Sequence, residues 1–153
     1  MTRYPLLFGF RDLIAGKGFV ASVSLKGRAL LVDEEARGFW MYGVNPGGVA
    51  AQGATAGRVQ DAFRAAYRSV LTGIAAQARG YSELEREMNG FVEATNHPTA
   101  AEWQEAVFAI REGKVCTDHL PKRTAESRIG VQILLLEHPV PFTHLRDEAE
   151  LAA

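Results

Sequence analysis

The chain has 153 residues, of which 47% are hydrophobic and 23% charged, and its formal net charge is -1. That suits one core in one domain, or a small domain with helical additions. Near-neutrality argues against a generic polyanion binder, although a local basic patch stays open because the field depends on how charge is distributed. The single cysteine, Cys116, rules out an internal disulfide and is compatible with a reducing compartment. Residues 1–8 are too short and too punctuated for a signal peptide. No run approaches the roughly 18 apolar residues of a membrane span, so the expectation is a cytoplasmic protein that does not cross a membrane.

Leu6-Leu7-Phe8-Gly9-Phe10 is a short apolar run, either a strand or a turn of buried coil. Residues 17–25 are clearer. Phe19, Ala21, Val23 and Leu25 alternate with Val20, Ser22, Ser24 and Lys26, the period of a half-buried strand. Gly27 marks a tight connection to a second strand over residues 28–33. Glu34-Glu35-Ala36-Arg37-Gly38 is a polar turn, and residues 39–44 form a third strand. Three strands joined by short turns make an antiparallel meander.

Asn45-Pro46-Gly47-Gly48 is a strong turn signal. Residues 49–52 make a short fourth strand or an irregular edge. Thr55 is placed to cap a long helix, whose expected apolar face is Val59, Ala62, Phe63, Ala66, Val70 and Ile74. Gly80 closes it. Ser82-Glu83-Leu84-Glu85 has the capping-box pattern and opens a second helix, with Leu84, Met88, Phe91 and Val92 on its apolar face. Asn96-His97-Pro98 stops that helix. Thr99-Ala100-Ala101-Glu102 repeats the box for a third helix, faced by Trp103, Ala106, Val107 and Ile110 and ending at Gly113. The short joint between these helices predicts an αα-hairpin. Residues 114–128 are polar and form a loop. Residues 128–138 are the best strand of the carboxy-terminal half, apolar on both faces toward the end as an internal strand would be.

The run from Ala29-Leu30-Leu31-Val32-Asp33-Glu34-Glu35 through Gly38-Phe39-Trp40-Met41-Tyr42-Gly43-Val44-Asn45-Pro46-Gly47, Ala51-Gln52-Gly53-Ala54-Thr55 and a helix resembles the HicB-like antitoxin domain. The resemblance covers about residues 28–78, with residues 128–138 as the returning strand. It implies an α+β fold of the partial RNase H-like β-β-β-α-β kind. On that basis residues 1–153 form one domain, a two-layer antiparallel meander sheet packed on a long helix. A helical hairpin is inserted at about residues 81–113, before the carboxy-terminal strand. It also implies a non-enzymatic antitoxin that covers a small HicA-like RNA-cleaving toxin. About a dozen residues follow Pro141, too few for the helix-turn-helix or ribbon-helix-helix that such antitoxins commonly carry. The resemblance therefore supports the fold more than it supports DNA-bound autorepression, and nucleic-acid binding stays open.

No catalytic or metal motif stands out. Cys116-Thr117-Asp118-His119 holds three residue types that ligate zinc, but no second pair at matching spacing completes a site. As nucleophile and base, Cys116 and His119 lack an orienting partner. His97, His138 and His144 lie near prolines at element ends, as turn or capping residues do. Glu83, Glu85, Glu87 and Glu93 make a solvated helix face. Asp33, Glu34 and Glu35 cluster, but no fourth carboxylate joins them for a two-metal nuclease. The glycines at 47, 48 and 53 lack the phosphate-loop pattern.

Lys114, His119, Lys122, Arg123 and Arg128 make a basic loop, to which Arg64 and Arg68 of the long helix could add. Trp40 and Tyr42 share the strand face opposite Phe39 and Met41 and are the candidate stacking aromatics. The expected partner-binding residues are thus Trp40, Tyr42, Arg64, Arg68, Lys122 and Arg123. No cofactor and no metal are expected. The partners expected are a second copy, paired through the sheet or its edge to make a homodimer, and a HicA-like toxin. A stand-alone nucleic-acid or small-molecule binding module is the alternative.

Overall fold

A computed structural model describes residues 1–118 and 130–136. Their fold is α+β: a four-strand antiparallel meander, three helices packed against it, and a last strand pairing with the second. Strands β1 (Thr2–Gly16) and β2 (Phe19–Asp33) form one long hairpin, in register from Thr2↔Asp33 to Gly16↔Phe19. Its tip turns at Gly18, whose φ of 76° lies in the left-handed region.

This corrects the reading of Gly27 as a turn. β2 runs straight through it, and Phe8 of β1 sits directly opposite. A Cβ on Gly27 would collide with the Asn45 carbonyl oxygen and lie 2.7 Å from the tip of the Phe8 ring. The glycine is there because an aromatic ring fills its place. The short run at residues 6–10 is likewise the middle of a 15-residue strand. Tyr4, Leu6, Phe8, Phe10 and Ile14 all contribute to one sheet face, called the near face below.

β3 (Phe39–Asn45) pairs with β2, and β4 (Ala50–Gly53) with β3. β5 (Gly130–Leu136) pairs with β2 from Val20↔Leu136 to Lys26↔Gly130. β3 and β5 therefore lie end to end along one side of β2, while β1 takes the other. β5 was expected to be covered on both sides. Ile133 is buried, but Leu134 and Leu135 are 54% and 42% exposed, and among the described residues β5 has one strand neighbour.

Helix α1 (Ala56–Gln77) begins as expected, with the Thr55 hydroxyl oxygen accepting from the Arg58 N–H at 3.2 Å. Its buried stripe is Val59, Phe63, Tyr67, Leu71 and Ala75. Ala66, Val70 and Ile74, expected at the centre, flank it. A strict four-residue step drifts around a helix of about 3.6 residues per turn, so the seam runs obliquely over the near face. Tyr67 anchors it, with ring centroids of Phe63 at 5.0 Å, Phe8 at 5.1 Å and Phe91 at 6.0 Å.

The Tyr67 hydroxyl is buried and finds no hydrogen-bond partner among the described residues. Burial pushes its pKa above the ordinary value. The unfolded chain then ionises this phenol near pH 10 while the folded chain holds the proton. Stability falls as pH rises past that value, by up to about 1.4 kcal/mol per pH unit. Tyr67→Phe removes an unpaired buried donor. It is expected to raise neutral-pH stability by about 1 kcal/mol and to flatten the loss above pH 10. Urea titrations at pH 7 and pH 10.5 measure both effects.

Helix α2 (Tyr81–Glu93) buries Leu84, Met88 and Val92 against the near face, as the sequence indicates. Gly80 does not close α1. It is the residue before α2, and α1 stops at Ala78, whose backbone is already extended. The expected capping box at residues 82–85 does not form, because Ser82 already lies inside the helix; Glu83 Oε2 instead accepts from the Arg79 N–H at 3.1 Å. Helix α3 (His97–Arg111) starts three residues earlier than its expected box. Asn96 caps it, accepting from the Thr99 N–H at 3.3 Å, with Pro98 in the first turn, where a missing N–H costs nothing.

α2 and α3 do not pack as a hairpin. α1 and α2 join the near-face core, whereas α3 lies on the opposite, far face. Between them the link 94–96 is threaded against the β3–β4 turn. Gly47 N–H donates to the Ala94 carbonyl at 2.9 Å, and Asn96 N–H to the Val44 carbonyl at 3.0 Å. A Cβ on Gly47 would come within 3.0 Å of the Asn96 backbone, so only glycine lets the two segments close up.

Candidate functional site

The far face is built by alternation. On β3, Met41 points to the near face, so Trp40 and Tyr42 point to the other, opposite Val32 and Leu30 of β2. The two aromatic rings stack, 5.7 Å apart and 8° from parallel. With Ala106 and Trp103 of α3 they enclose Leu30 and Val32 in a small second core. Both aromatics are half-buried. Burial first, then the carboxylates of Glu34 and Glu102, raises the Tyr42 pKa, which keeps it a neutral donor.

Three contacts tie α3 down. Trp103 Nε1–H donates to the Leu6 carbonyl at 3.3 Å, the Arg28 guanidinium lies 5.1 Å from the Trp103 ring centroid, and Arg3 pairs with Glu102 at 3.4 Å. Arg28 itself is held by Asn45. Asn45 is the buried polar residue of this region, 6% exposed. Its Oδ1 accepts from Arg28 Nε at 3.0 Å and from Nη2 at 2.5 Å, while its Nδ2 donates to Thr95 Oγ1 at 2.5 Å. One amide thus joins β2, β3, the link 94–96 and, through Arg28, the indole of α3.

The hollows nearby are open and of mixed charge. One of about 200 Å³ lies beside Tyr42, between Arg3, Glu34, Thr99 and Glu102. Another of about 700 Å³ separates the start of β1 from α3, with Glu105, Lys114 and Cys116 on its walls. Neither has the enclosed, mostly apolar lining of a small-molecule site.

The expected contact residues do not form one patch. Trp40 and Tyr42 come together on the far face. Arg64 and Arg68 are exposed on α1, across the sheet. Arg68 is also engaged structurally, its Nε 2.7 Å from Asp12 Oδ2 on β1. Lys122 and Arg123 lie outside the described residues, as do His119, Arg128, His138 and His144. Cys116 is exposed, with its thiol 3.5 Å from Asp118 Oδ2. Asp33 accepts from the Glu35 N–H at 2.8 Å and so shapes the turn that holds the acidic cluster. Among the described residues no three His, Cys, Asp or Glu gather closely enough to hold a metal ion, and no helix is long and apolar enough to cross a membrane.

Sequence reasoning missed Arg28, Asn45 and Thr95 as a group. Asn45 sits in a turn signal, and Thr95 lies 50 positions away. No periodicity links them, because a shared hydrogen bond leaves no repeating trace in sequence. No family model matches the chain, and no curated protein and no solved structure matches it either.

Proposed function

We propose that the chain is a non-enzymatic, HicB-like binding protein that acts as an antitoxin, covering a small RNA-cleaving toxin through protein–protein contact. The observation that carries this reading is local. Residues 28–78 form a strand, a second strand, a tight turn, a short strand and a helix capped by Thr55, the order the resemblance implies. The half-buried Trp40–Tyr42 pair suits a protein contact, since aromatics are enriched where partners bury surface. A homodimer through a sheet edge belongs to the same reading, because among the described residues the outer side of β1 pairs with no strand. So does a cytoplasmic location, where toxin and target RNA meet.

The alternative is a nucleic-acid binding module. The stacked pair favours it, but the hollow beside Tyr42 is of mixed charge, with Glu34 and Glu102 as well as Arg3, and is not the basic groove that phosphate binding calls for.

Affinity capture from the source cells, with mass spectrometry, separates the two. The antitoxin reading expects a small basic protein at a stoichiometric level, with its RNA cleavage suppressed in the complex. Capture of nucleic acid alone, lost steeply with salt, supports the alternative instead.

A further inference from the structure

β1 is the longest edge strand among the described residues. The turn Lys17-Gly18 closes on the Gly16↔Phe19 pair, which is therefore the first pair of the hairpin joined by hydrogen bonds. Such pairs alternate along an antiparallel ladder. The even-numbered residues of β1 thus bond β2, and the odd-numbered ones turn their N–H and C=O groups outward. Nearby side chains agree with this alternation. The outward Leu13 N–H is taken up by Asp12 Oδ1 at 2.8 Å. On the opposite border of the sheet the same alternation turns the Ile133 carbonyl of β5 outward, and the Tyr81 hydroxyl donates to it at 3.0 Å. That bond closes the β5 edge at its middle.

The β1 edge is closed at both ends and open between them. α3 lies on the far face, Val115 packs against the near-face core, and residues 114–116 stand across a hollow from residues 1–4, so the chain rounds the sheet at the start of β1. Pro5 has no N–H to offer. Leu13 has given its own to Asp12, whose other oxygen holds Arg68 at 2.7 Å. Between Pro5 and Leu13 stand Leu7, Gly9 and Arg11, whose outward groups meet no partner among the described residues. Gly9 lies midway. Nothing in its own fold calls for glycine. Its φ is not positive, the register runs through it without a bulge, and a Cβ there would find only the Leu25 carbonyl oxygen, at 4.0 Å. A glycine inside a strand, away from bulges and bends, marks a place where another backbone approaches.

We propose that two copies of the chain join by antiparallel pairing of β1 with β1 about a two-fold axis at Gly9. Gly9 then faces its own copy, and Leu7 and Arg11 face each other across the axis. In each of these pairs the two residues exchange both N–H···O bonds. The same register sets Pro5 opposite Leu13, so the positions with least to give meet each other. It places the Arg11 guanidinium beside Leu7 and not beside its own copy, so like charges do not stand opposite. The contact is isologous and closes with two copies. This register rests on the homodimer part of the reading above, and the toxin has no role in it.

Light scattering on the full chain at micromolar concentration is expected to give the mass of two chains. Gly9→Pro removes the outward N–H at the axis, and Pro5 shows that β1 accepts proline at an outward position. That variant should keep its thermal melt and raise the dimer dissociation constant by at least about 100-fold. Spin labels on Lys17→Cys at the exposed hairpin tip, in a Cys116→Ser chain, need no disruptive change. They should lie about 50 Å apart, and each neighbouring register moves that distance by about 7 Å or more. A monomeric wild type overturns the proposal, and so does a folded Gly9→Pro chain that still dimerises, or a label distance that belongs to another register. Each of these results leaves the capture of a toxin standing, and a failure to capture one leaves the β1 pairing standing.

Discussion

Gly27→Ala is expected to destabilise the protein by about 3 kcal/mol, a large effect for one methyl group. In a strand, alanine ordinarily costs less than glycine because it gives up less backbone entropy on folding. Here the added carbon meets the Asn45 carbonyl oxygen on one side and the Phe8 ring on the other. Neither can move away cheaply. The carbonyl belongs to the residue paired with Arg28, where the β2–β3 register shifts, and Phe8 packs edge-on against Phe63 at 5.4 Å. If Gly27 instead closed a surface turn, its φ would not forbid alanine, since it is not among the positive-φ residues, and the change would be nearly silent. Urea unfolding of the single variant decides between these outcomes.

Asn45→Ala should cost a similar amount, about 3 kcal/mol, by a different route. It leaves the Arg28 guanidinium without the acceptor that both Nε and Nη2 use, and it unties Thr95. A partly buried cation that loses its acceptor is far more costly than an exposed one. Asn45→Asp keeps an acceptor for Arg28 and should cost less than half as much. The loss should also be local at first. The link 94–96 and α3 are expected to loosen before α1 does, because Arg28 is the contact under Trp103. Unfolding followed by tryptophan fluorescence and by far-ultraviolet circular dichroism should then cease to coincide in Asn45→Ala.

The parts of the fold legible in the sequence are those with strong, uninterrupted local signals. Phe19 to Leu25 alternates cleanly and is strand. Thr55 stands before a long amphipathic run and caps α1 as expected. Leu84, Met88 and Val92 keep helical spacing and are buried. The meander follows from turns at Gly38 and at residues 45–48.

What escaped was set by tertiary contacts. Pro5, Gly9, Arg11 and Asp12 interrupt the apolar pattern of β1. They are tolerated because β1 is the outer strand of the meander, and Asp12 is used by Arg68 of α1. Gly27 looked like punctuation because its reason, the Phe8 ring, lies 19 positions away in another strand. Gly80 and Asn96 each carry the local signal of a helix end, yet each precedes the first residue of the next helix. A short joint between helices predicts a hairpin by default. Nothing local in Ala94-Thr95-Asn96 announces that it bonds to a turn 50 residues earlier and carries α3 to the opposite face. Of the candidate contact residues, strand alternation correctly put Trp40 and Tyr42 together. Helix spacing could not reveal that Arg64 and Arg68 face away from them.

The claim at the centre of this account is that the far face meets a protein partner. The direct measurement is side-by-side capture from the source cells with wild-type protein and with a Trp40→Ala, Tyr42→Ala chain whose folded state is verified by its thermal melt. The account predicts that the wild type brings down a small basic RNA-cleaving protein, and that the double variant loses most of it, because the anchors of the contact are gone. Equal recovery by both chains, or no RNA-cleaving protein with either, would contradict it.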